Sequence, residues 1–270
     1  MRVQRRGLAH GARTGGLGGS MRLVIALALF VMAADCARAN AEIVSAAVAA
    51  NFTAPAKEIA ARFEAQTGAH VALSFAGSGQ LYAQVAQGAP FDVLLSADSA
   101  RAQKAIEDGL AIPGTQFTYA VGKLVLWSAA AGRVDPDGDV LKAGEFAHLS
   151  IANPKTAPYG AAAIETLAAL GVLDAITPKL VTGENIAQAF QFVVSGNAEL
   201  GFVALSQVIN EPGGSRWLVP DTLYTPILQD AVLLKRGEQN AFARGFLSFL
   251  REPEAVEVIA RYGYAIPAGQ

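Results

Sequence analysis

Strands, turns and helices alternate along residues 42–270, and this alternation limits the fold more than any other feature of the sequence. An apolar strand is predicted from Ile43 to Ala50, and Pro55 then sits in the first turn of a helix, where proline is well tolerated. The segment from Phe91 to Ser96 (FDVLLS) has the pattern of a strand buried on both faces. Because repeated strand–helix units build parallel sheets with right-handed crossovers, the sequence predicts an α/β fold.

A second series of strands starts at Lys123 (KLVLWS), so we expect two α/β lobes. The chain is predicted to leave the first lobe near Tyr119 and to return near Thr225. This prediction assigns residues 42–119 and 226–270 to lobe 1 and residues 120–225 to lobe 2. Two crossings make a two-strand hinge, and a cleft between hinged lobes is a common place for a ligand.

The N-terminal stretch has the composition of an export signal. A basic residue precedes the apolar run from Leu23 to Ala34, and small residues then allow cleavage after Ala39 or after Ala41. The apolar run is too short to span a bilayer as a stable helix. Met21 is an alternative start, which would make residues 1–20 an extension of the chain.

Removal of this predicted signal peptide, residues 1–41, changes the charge of the chain. It takes away six of the 21 Lys and Arg residues and one of the 23 acidic residues, so the formal charge moves from −2 to −7. Cys36, the single cysteine, is removed as well. An acidic, cysteine-free chain is not expected to bind nucleic acid or to carry a disulfide or a sulfur-ligated zinc. No later segment has 18 uninterrupted apolar residues, so we expect a soluble periplasmic protein without stable membrane insertion.

Residues in a spacing typical of catalysis are not found in the sequence. It contains neither a Gly-x-Ser-x-Gly elbow nor a phosphate-loop lysine motif. His70 and His148 are isolated, so structural or surface roles are predicted for both. Asp92 and Asp98 flank a predicted strand and are interpreted as cap or turn residues. We therefore predict neither an enzyme nor a bound cofactor.

Three strand-to-helix turns present backbone N–H groups with little side-chain bulk. These turns are residues 49–52 (AANF), 75–80 (FAGSGQ) and 157–160 (APYG). A helix start carries unsatisfied N–H donors and a partial positive charge, so several of them aimed at one point can hold an anion. Asn51, Ser78 and Tyr159 would add directed donors. Each turn alone is explained as well by capping or packing, and only their shared place after alternating strands favours a site.

Several longer motifs carry a resemblance that covers nearly all of residues 42–270. They are AANFTAP (49–55), SFAGSGQL (74–81), GAPFDVLLSAD (88–98), ANPKTAPYG (152–160), GNAELGFVALSQV (196–208) and RYGYAIP (261–267). With these motifs the sequence resembles the periplasmic molybdate-binding proteins of ABC transporters, which have the type II periplasmic-binding-protein fold.

The resemblance implies an oxyanion site built from neutral donors. Asn51 is then expected to donate from its backbone and side chain, Ser78 and Tyr159 from their hydroxyls, and Ile186 from its backbone N–H. Ala50 stands where some relatives carry Thr, so only a backbone donor remains there. No residue is expected to ligate the metal atom of the oxyanion directly.

One position departs from the pattern of a subgroup, in which a Tyr follows the strand that is GFV here. That position is Ala204, so a side-chain contact there is not expected, while Tyr262 and Tyr264 are predicted to pack against the first lobe. The implied ligands are molybdate and tungstate, and the implied partner of the monomer is an inner-membrane ABC permease. Another oxyanion, such as sulfate or phosphate, is the alternative ligand.

Overall fold

The computed structural model describes residues 43–267, so the predicted signal peptide lies outside the described residues. Within this range ten strands form two five-stranded sheets. The strands are β1 Ile43–Ala49, β2 His70–Ala76, β3 Val93–Ser96, β4 Phe117–Gly122, β5 Leu124–Ser128, β6 Leu149–Ala152, β7 Leu180–Gly183, β8 Leu200–Ala204, β9 Ser215–Leu218 and β10 Ile227–Leu233.

Helices connect most of these strands. The α-helices are α1 Thr53–Thr67, α2 Ser78–Ala86, α3 Ser99–Glu107, α4 Val140–Ala143, α5 Pro158–Ala169, α6 Leu173–Ile176, α7 Ile186–Val194, α8 Leu205–Val208, α9 Ala241–Phe249 and α10 Pro253–Arg261. Short 3₁₀ segments lie at Ala50–Phe52, Thr177–Lys179, Asp221–Leu223 and Lys235–Gln239. Within residues 43–267, none of the helices combines the length and the apolar character needed to cross a membrane.

The strand order is β2-β1-β3-β10-β4 in the first sheet and β7-β6-β8-β5-β9 in the second. Each sheet with the helices packed on it forms one lobe, which confirms the predicted architecture of two α/β lobes. The sheets contain the predicted parallel pairs but are mixed, because β10 runs antiparallel to β3 and β4, and β5 runs antiparallel to β8 and β9. Since β5 and β10 are the first strands after a crossing, each enters its sheet from the hinge rather than through a helical crossover.

The passage from the first sheet to the second lies at Lys123. Tyr119 is inside β4, and this strand still pairs with β10 at Gly122. Only Lys123 separates β4 from β5, while the returning segment precedes β10. The lobe boundaries at residues 119, 120, 225 and 226 remain a prediction.

Helix α1 illustrates how local sequence and packing agree. Ile59 and Phe63 are spaced one turn apart and are fully buried against the first sheet, which stabilises the fold by about 1.5–3 kcal/mol for each side chain. Phe63 contacts the rings of Phe246 and Phe249 at centroid distances of 5.4 and 5.6 Å. Gly68 ends the helix with a φ of 74°, a left-handed conformation that glycine adopts without strain.

Candidate ligand-binding site

The first turn, Ala50–Phe52, follows β1 directly and holds a fully buried Asn51. The Asn51 side-chain amide donates to Gln229 Oε1 at 2.7 Å and to the Tyr264 hydroxyl at 2.9 Å. Both amide hydrogens therefore have protein acceptors. The backbone N–H of Asn51 lies at the start of the turn, where helical acceptors are missing, so it is the donor that this residue can offer to a ligand.

The second turn leads into α2 and places Ser78 at the first helical position, where its side chain is buried. Ser78 Oγ accepts a hydrogen bond of 2.9 Å from the backbone N–H of Ala97. A hydroxyl that accepts one bond still has its own proton to donate. The Ala97 contact thus fixes the oxygen and leaves the O–H of Ser78 as a directed donor.

The third turn begins α5 with Pro158, and the next residue, Tyr159, is buried. Among the described residues its hydroxyl has no hydrogen-bond partner. The hydroxyl lies against Gly122 at the end of β4, where a Cβ atom would approach the Tyr159 ring carbon Cζ to 3.0 Å. Burial, and to a lesser degree the nearby Tyr264, raises the pKa of Tyr159 well above its ordinary value. Tyr159 is consequently a neutral donor that still needs an acceptor.

The start of α7 supplies a fourth group of donors. Asn185 caps this helix, and its Oδ1 accepts from the backbone N–H groups of Ala187 and Gln188 at 3.0 and 3.2 Å. Ile186 occupies the first helical position and is buried. Because the cap is bonded to the second and third N–H groups of the helix, the first N–H, that of Ile186, is the one left to face a ligand.

These turns meet although they belong to different lobes. The backbone N–H of Gly79, in the first turn of α2, donates to Thr156 O at 3.0 Å, two residues before α5. Gly77 approaches the start of α7, since a Cβ on it would lie 3.4 Å from Asn185 Cβ. Helix α7 also packs against the first turn. The structure therefore brings the elements that carry Asn51, Ser78, Tyr159 and Ile186 to one region between the lobes.

Ala50 and Ala204 complete this region with apolar surface. Both are buried in one hydrophobic cluster that includes Tyr159 and Ile186 and so spans the two lobes. Ala204 ends β8, and its backbone N–H donates to Gln207 Oε1 at 2.9 Å. The methyl side chains of both residues offer no donor, which matches the departures seen in the sequence.

Three polar residues at the same place are absent from the sequence-based site. Gln229 is an amide inside the apolar strand β10, Ser206 is in α8, and Tyr264 follows α10. The Tyr264 ring packs edge-on against Phe52 at 5.4 Å, as predicted, but its hydroxyl also donates to Asn51 O at 2.9 Å. Burial raises the pKa of Tyr264 to about 12. The sequence signal for this cluster is a Gln within a predicted buried strand, because a buried polar group needs a hydrogen-bond partner.

The residues predicted to be structural have structural contacts. Asp98 caps α3 by accepting from the Arg101 N–H at 2.7 Å, which confirms its interpretation. Asp92 differs from a simple cap, because it pairs with Arg236 at 2.7 Å and accepts from the Ser45 N–H at 2.9 Å. His70 is largely exposed beside Glu64.

His148 is also more than half exposed, and it lies 4.0 Å from Glu199. In the part of the chain that the structure describes, no group of His, Cys, Asp and Glu residues has the arrangement of a metal site.

The charge around the four turns is low. None of the segments 49–52, 75–80, 157–160 and 185–187 contains Lys or Arg. The nearby Arg101 is committed to Asp98 at 2.5 Å and to Lys155 O at 3.1 Å. Two α/β lobes with buried neutral donors between them are typical of solute-binding proteins.

Comparison with known proteins gives the same class. The family profile of bacterial extracellular solute-binding proteins matches residues 44–265. The molybdate-binding protein ModA of Rhodobacter capsulatus is 58% identical over 245 residues, which cover 91% of this chain and 94% of that protein. ModA of Escherichia coli is 28% identical over 252 residues, covering 91% of this chain and 98% of that protein.

A solved structure supports the assignment. The periplasmic molybdate-binding protein of Azotobacter vinelandii superimposes with a TM-score of 0.81 and 42% identity, covering 83% of this chain and 99% of that one. The chain thus belongs to the family of bacterial extracellular solute-binding proteins, within the group of the molybdate-binding proteins. Members of this group are transport proteins and not enzymes.

Proposed function

We propose that this protein captures molybdate in the cleft between its lobes and delivers it to an ABC-type permease of the inner membrane. The observation that carries the proposal is the meeting of four turns from both lobes, each with buried neutral donors and none with a Lys or Arg. The ligand-binding groups are the backbone N–H groups of Ala50, Asn51 and Ile186 and the hydroxyls of Ser78 and Tyr159. Helix starts and hydroxyls can hold a dianion without a countercharge.

Tyr159 gives the strongest support within this set. A buried hydroxyl without a partner costs about 1–3 kcal/mol, and an anion oxygen in the cleft would remove that cost. The names of the relatives point to the same ligand, since those of Rhodobacter capsulatus and Escherichia coli are molybdate-binding proteins. Export to the periplasm and a monomeric state belong to the proposal, as does the division into residues 42–119 with 226–270 and residues 120–225.

The geometry also favours a large tetrahedral anion. Donors on helix starts are held by packing, so they do not move inward to meet a smaller anion. Sulfate would leave some donors unpaired, at about 1–3 kcal/mol for each lost bond. Two such losses correspond to a preference of roughly a hundredfold or more. Tungstate is close to molybdate in size, so we propose that it binds as well.

Isothermal titration of the purified protein with molybdate, tungstate and sulfate tests this function. We expect molybdate and tungstate to bind within about tenfold of each other, and sulfate to bind at least a hundredfold more weakly. Tighter binding of sulfate or phosphate than of molybdate would instead make the protein a receptor for another oxyanion. If titration with each of these anions gave no binding signal, the result would contradict the proposed site.

A further inference from the structure

We propose that Ser206 is a positioning residue that couples closure of the lobes to the first turn of the binding site. Ser206 lies in α8, which follows β8 of the second sheet, and its side chain is buried. Its hydroxyl donates to the backbone carbonyl of Asn51 at 2.8 Å. Asn51 follows β1 of the first sheet, so this buried hydrogen bond crosses from one lobe to the other.

The same carbonyl group is the centre of a small polar network. The Tyr264 hydroxyl lies 2.9 Å from Asn51 O and 3.1 Å from Ser206 Oγ, and it accepts from the Asn51 amide at 2.9 Å. Gln229 Oε1 takes the second amide hydrogen, and the Gln229 amide in turn donates to Ile227 O at 3.0 Å. Both amide hydrogens and the backbone carbonyl of Asn51 therefore have partners, which fixes the position of Asn51.

The partners of Asn51 differ in the lobe that they come from. Gln229 is in β10 of the first sheet, and Tyr264 packs in the core of the first lobe. Their bonds to Asn51 persist when the lobes move apart. Ser206 alone of these three comes from the second lobe, so its bond exists only while the lobes are together.

This difference gives Ser206 a role in ligand retention, and the role rests on the proposed function. A ligand enclosed between the lobes leaves only after they separate, and separation breaks the bond from Ser206 to Asn51. A contact made only in the closed form raises the closed population and thereby the affinity. Because this bond does not touch the anion, its loss is expected to act on the rate of release rather than on the rate of capture.

The test compares Ser206→Ala with wild type and with Ser150→Ala. Ser150 is the matched control, because it too is buried and its hydroxyl donates to a carbonyl, that of Ala189 at 2.8 Å, but within the second lobe. Radiolabelled molybdate is bound and then chased with excess unlabelled molybdate to obtain the dissociation rate. Association is measured separately by rapid filtration.

For Ser206→Ala we expect the dissociation rate to rise about 3- to 10-fold, the effect of one hydrogen bond, with the association rate changed less than about twofold. Ser150→Ala should lower the melting temperature and leave both rates unchanged. An unchanged dissociation rate in Ser206→Ala, or an equal rise in Ser150→Ala, would overturn the role of Ser206. A wild-type protein that fails to retain molybdate would contradict the proposed function itself, which separates the two failures.

Discussion

The first and third turns of the site are built in opposite ways. In the first turn both amide hydrogens of the Asn51 side chain are paired, with Gln229 and Tyr264 as acceptors. In the third turn the hydroxyl of Tyr159 is equally buried and has no partner among the described residues. The first turn is thus held in place by the protein before any ligand arrives, whereas the third turn presents a donor that only a further acceptor can satisfy.

A second tyrosine shows that burial without a partner does not by itself mark a site. The hydroxyl of Tyr119 is also buried and unpaired within the described part of the chain. Its ring contacts Phe52 at 4.9 Å inside the first-lobe core. Tyr159 differs because it lies between the lobes, in the same region as the N-termini of α2 and α7. The pair therefore provides a control for every experiment on the third turn.

The largest effect on the Kd for molybdate is expected from Gly122→Ala. This substitution displaces the third turn and leaves the first turn in place. The new methyl group would collide with the Tyr159 hydroxyl and lie 3.0 Å from its Cζ. Overpacking costs about 1–3 kcal/mol, and the displaced hydroxyl loses its bond to the anion, so the Kd for molybdate should rise about a hundredfold or more. Titration calorimetry measures this change.

Gly245→Ala is the control for that substitution. Gly245 lies in α9, and a Cβ there would meet Phe63 at 3.6 Å, an ordinary contact. This variant should keep the affinity and gain about 0.5–1 kcal/mol of stability. Equal affinities of both glycine variants would show that Tyr159 does not depend on Gly122.

Tyr159→Phe tests the hydroxyl of the third turn directly, because it removes this group and keeps the ring. We expect the Kd for molybdate to rise about 10- to 100-fold, since a hydrogen bond to a charged group contributes about 1.5–3 kcal/mol. The melting temperature should stay the same or rise, because an unpaired buried hydroxyl is lost. Tyr119→Phe removes the other unpaired hydroxyl and should leave the Kd unchanged. Similar Kd changes in both variants would argue against the third turn as a contact.

Ser78→Ala tests the second turn, which lies between the other two in its hydrogen bonding. The Ser78 oxygen accepts a bond from the protein, while its own proton is left for a ligand. The variant loses a donor to the ligand and leaves the buried Ala97 N–H without its acceptor. We expect a Kd about tenfold higher and an unfolding free energy about 1–2 kcal/mol lower. Calorimetry and denaturant unfolding measure the two quantities.

Ser128→Ala serves as the control for Ser78→Ala. The Ser128 hydroxyl donates to Glu199 O at 2.7 Å and accepts from the Ala130 N–H at 3.3 Å, away from the four turns. It should lower stability by a similar amount without changing the Kd. A parallel loss of affinity in Ser128→Ala would mean that Ser78 acts only through stability.

The smallest effect on affinity is expected from pH. Burial raises the pKa of Tyr264 to about 12 and that of Tyr159 well above its ordinary value, so both stay protonated at neutral and mildly alkaline pH. The Kd should therefore change less than about twofold between pH of about 7 and 9. A Kd that rises steadily over this range would point to a titrating cation in the site.

Stability should respond to pH above that range. A tyrosine with a raised folded-state pKa keeps its full contribution below about pH 10, where the unfolded phenol is also protonated. Stability then falls as the pH rises from about 10 towards about 12, since only the unfolded state loses its proton. Tyr264→Phe should remove about 2–3 kcal/mol of this fall, measured by urea unfolding across the window.

Part of the site could be predicted from the sequence because helix starts are local features. Pro158 at the start of α5, Asn185 before α7 and Gly77 before α2 all mark helix starts within a few residues. The resemblance then selected Asn51, Ser78, Tyr159 and Ile186 from those starts. Ser206 and Gln229 were missed, because their importance depends on a partner elsewhere in the chain rather than on their neighbours in sequence.

The sequence by itself determined the alternation of strands and helices, their caps and the neutral chemistry of the turns, because these follow from side-chain spacing and backbone conformation over a few residues. Tertiary structure decided that β5 and β10 run antiparallel to their neighbours and that Tyr159 rests against Gly122. It also paired Asn51 with Gln229 and Tyr264, which lie 178 and 213 residues away. Such contacts form only when segments far apart in the chain pack together in the first lobe, since burial then leaves each polar group no partner except the one packed against it.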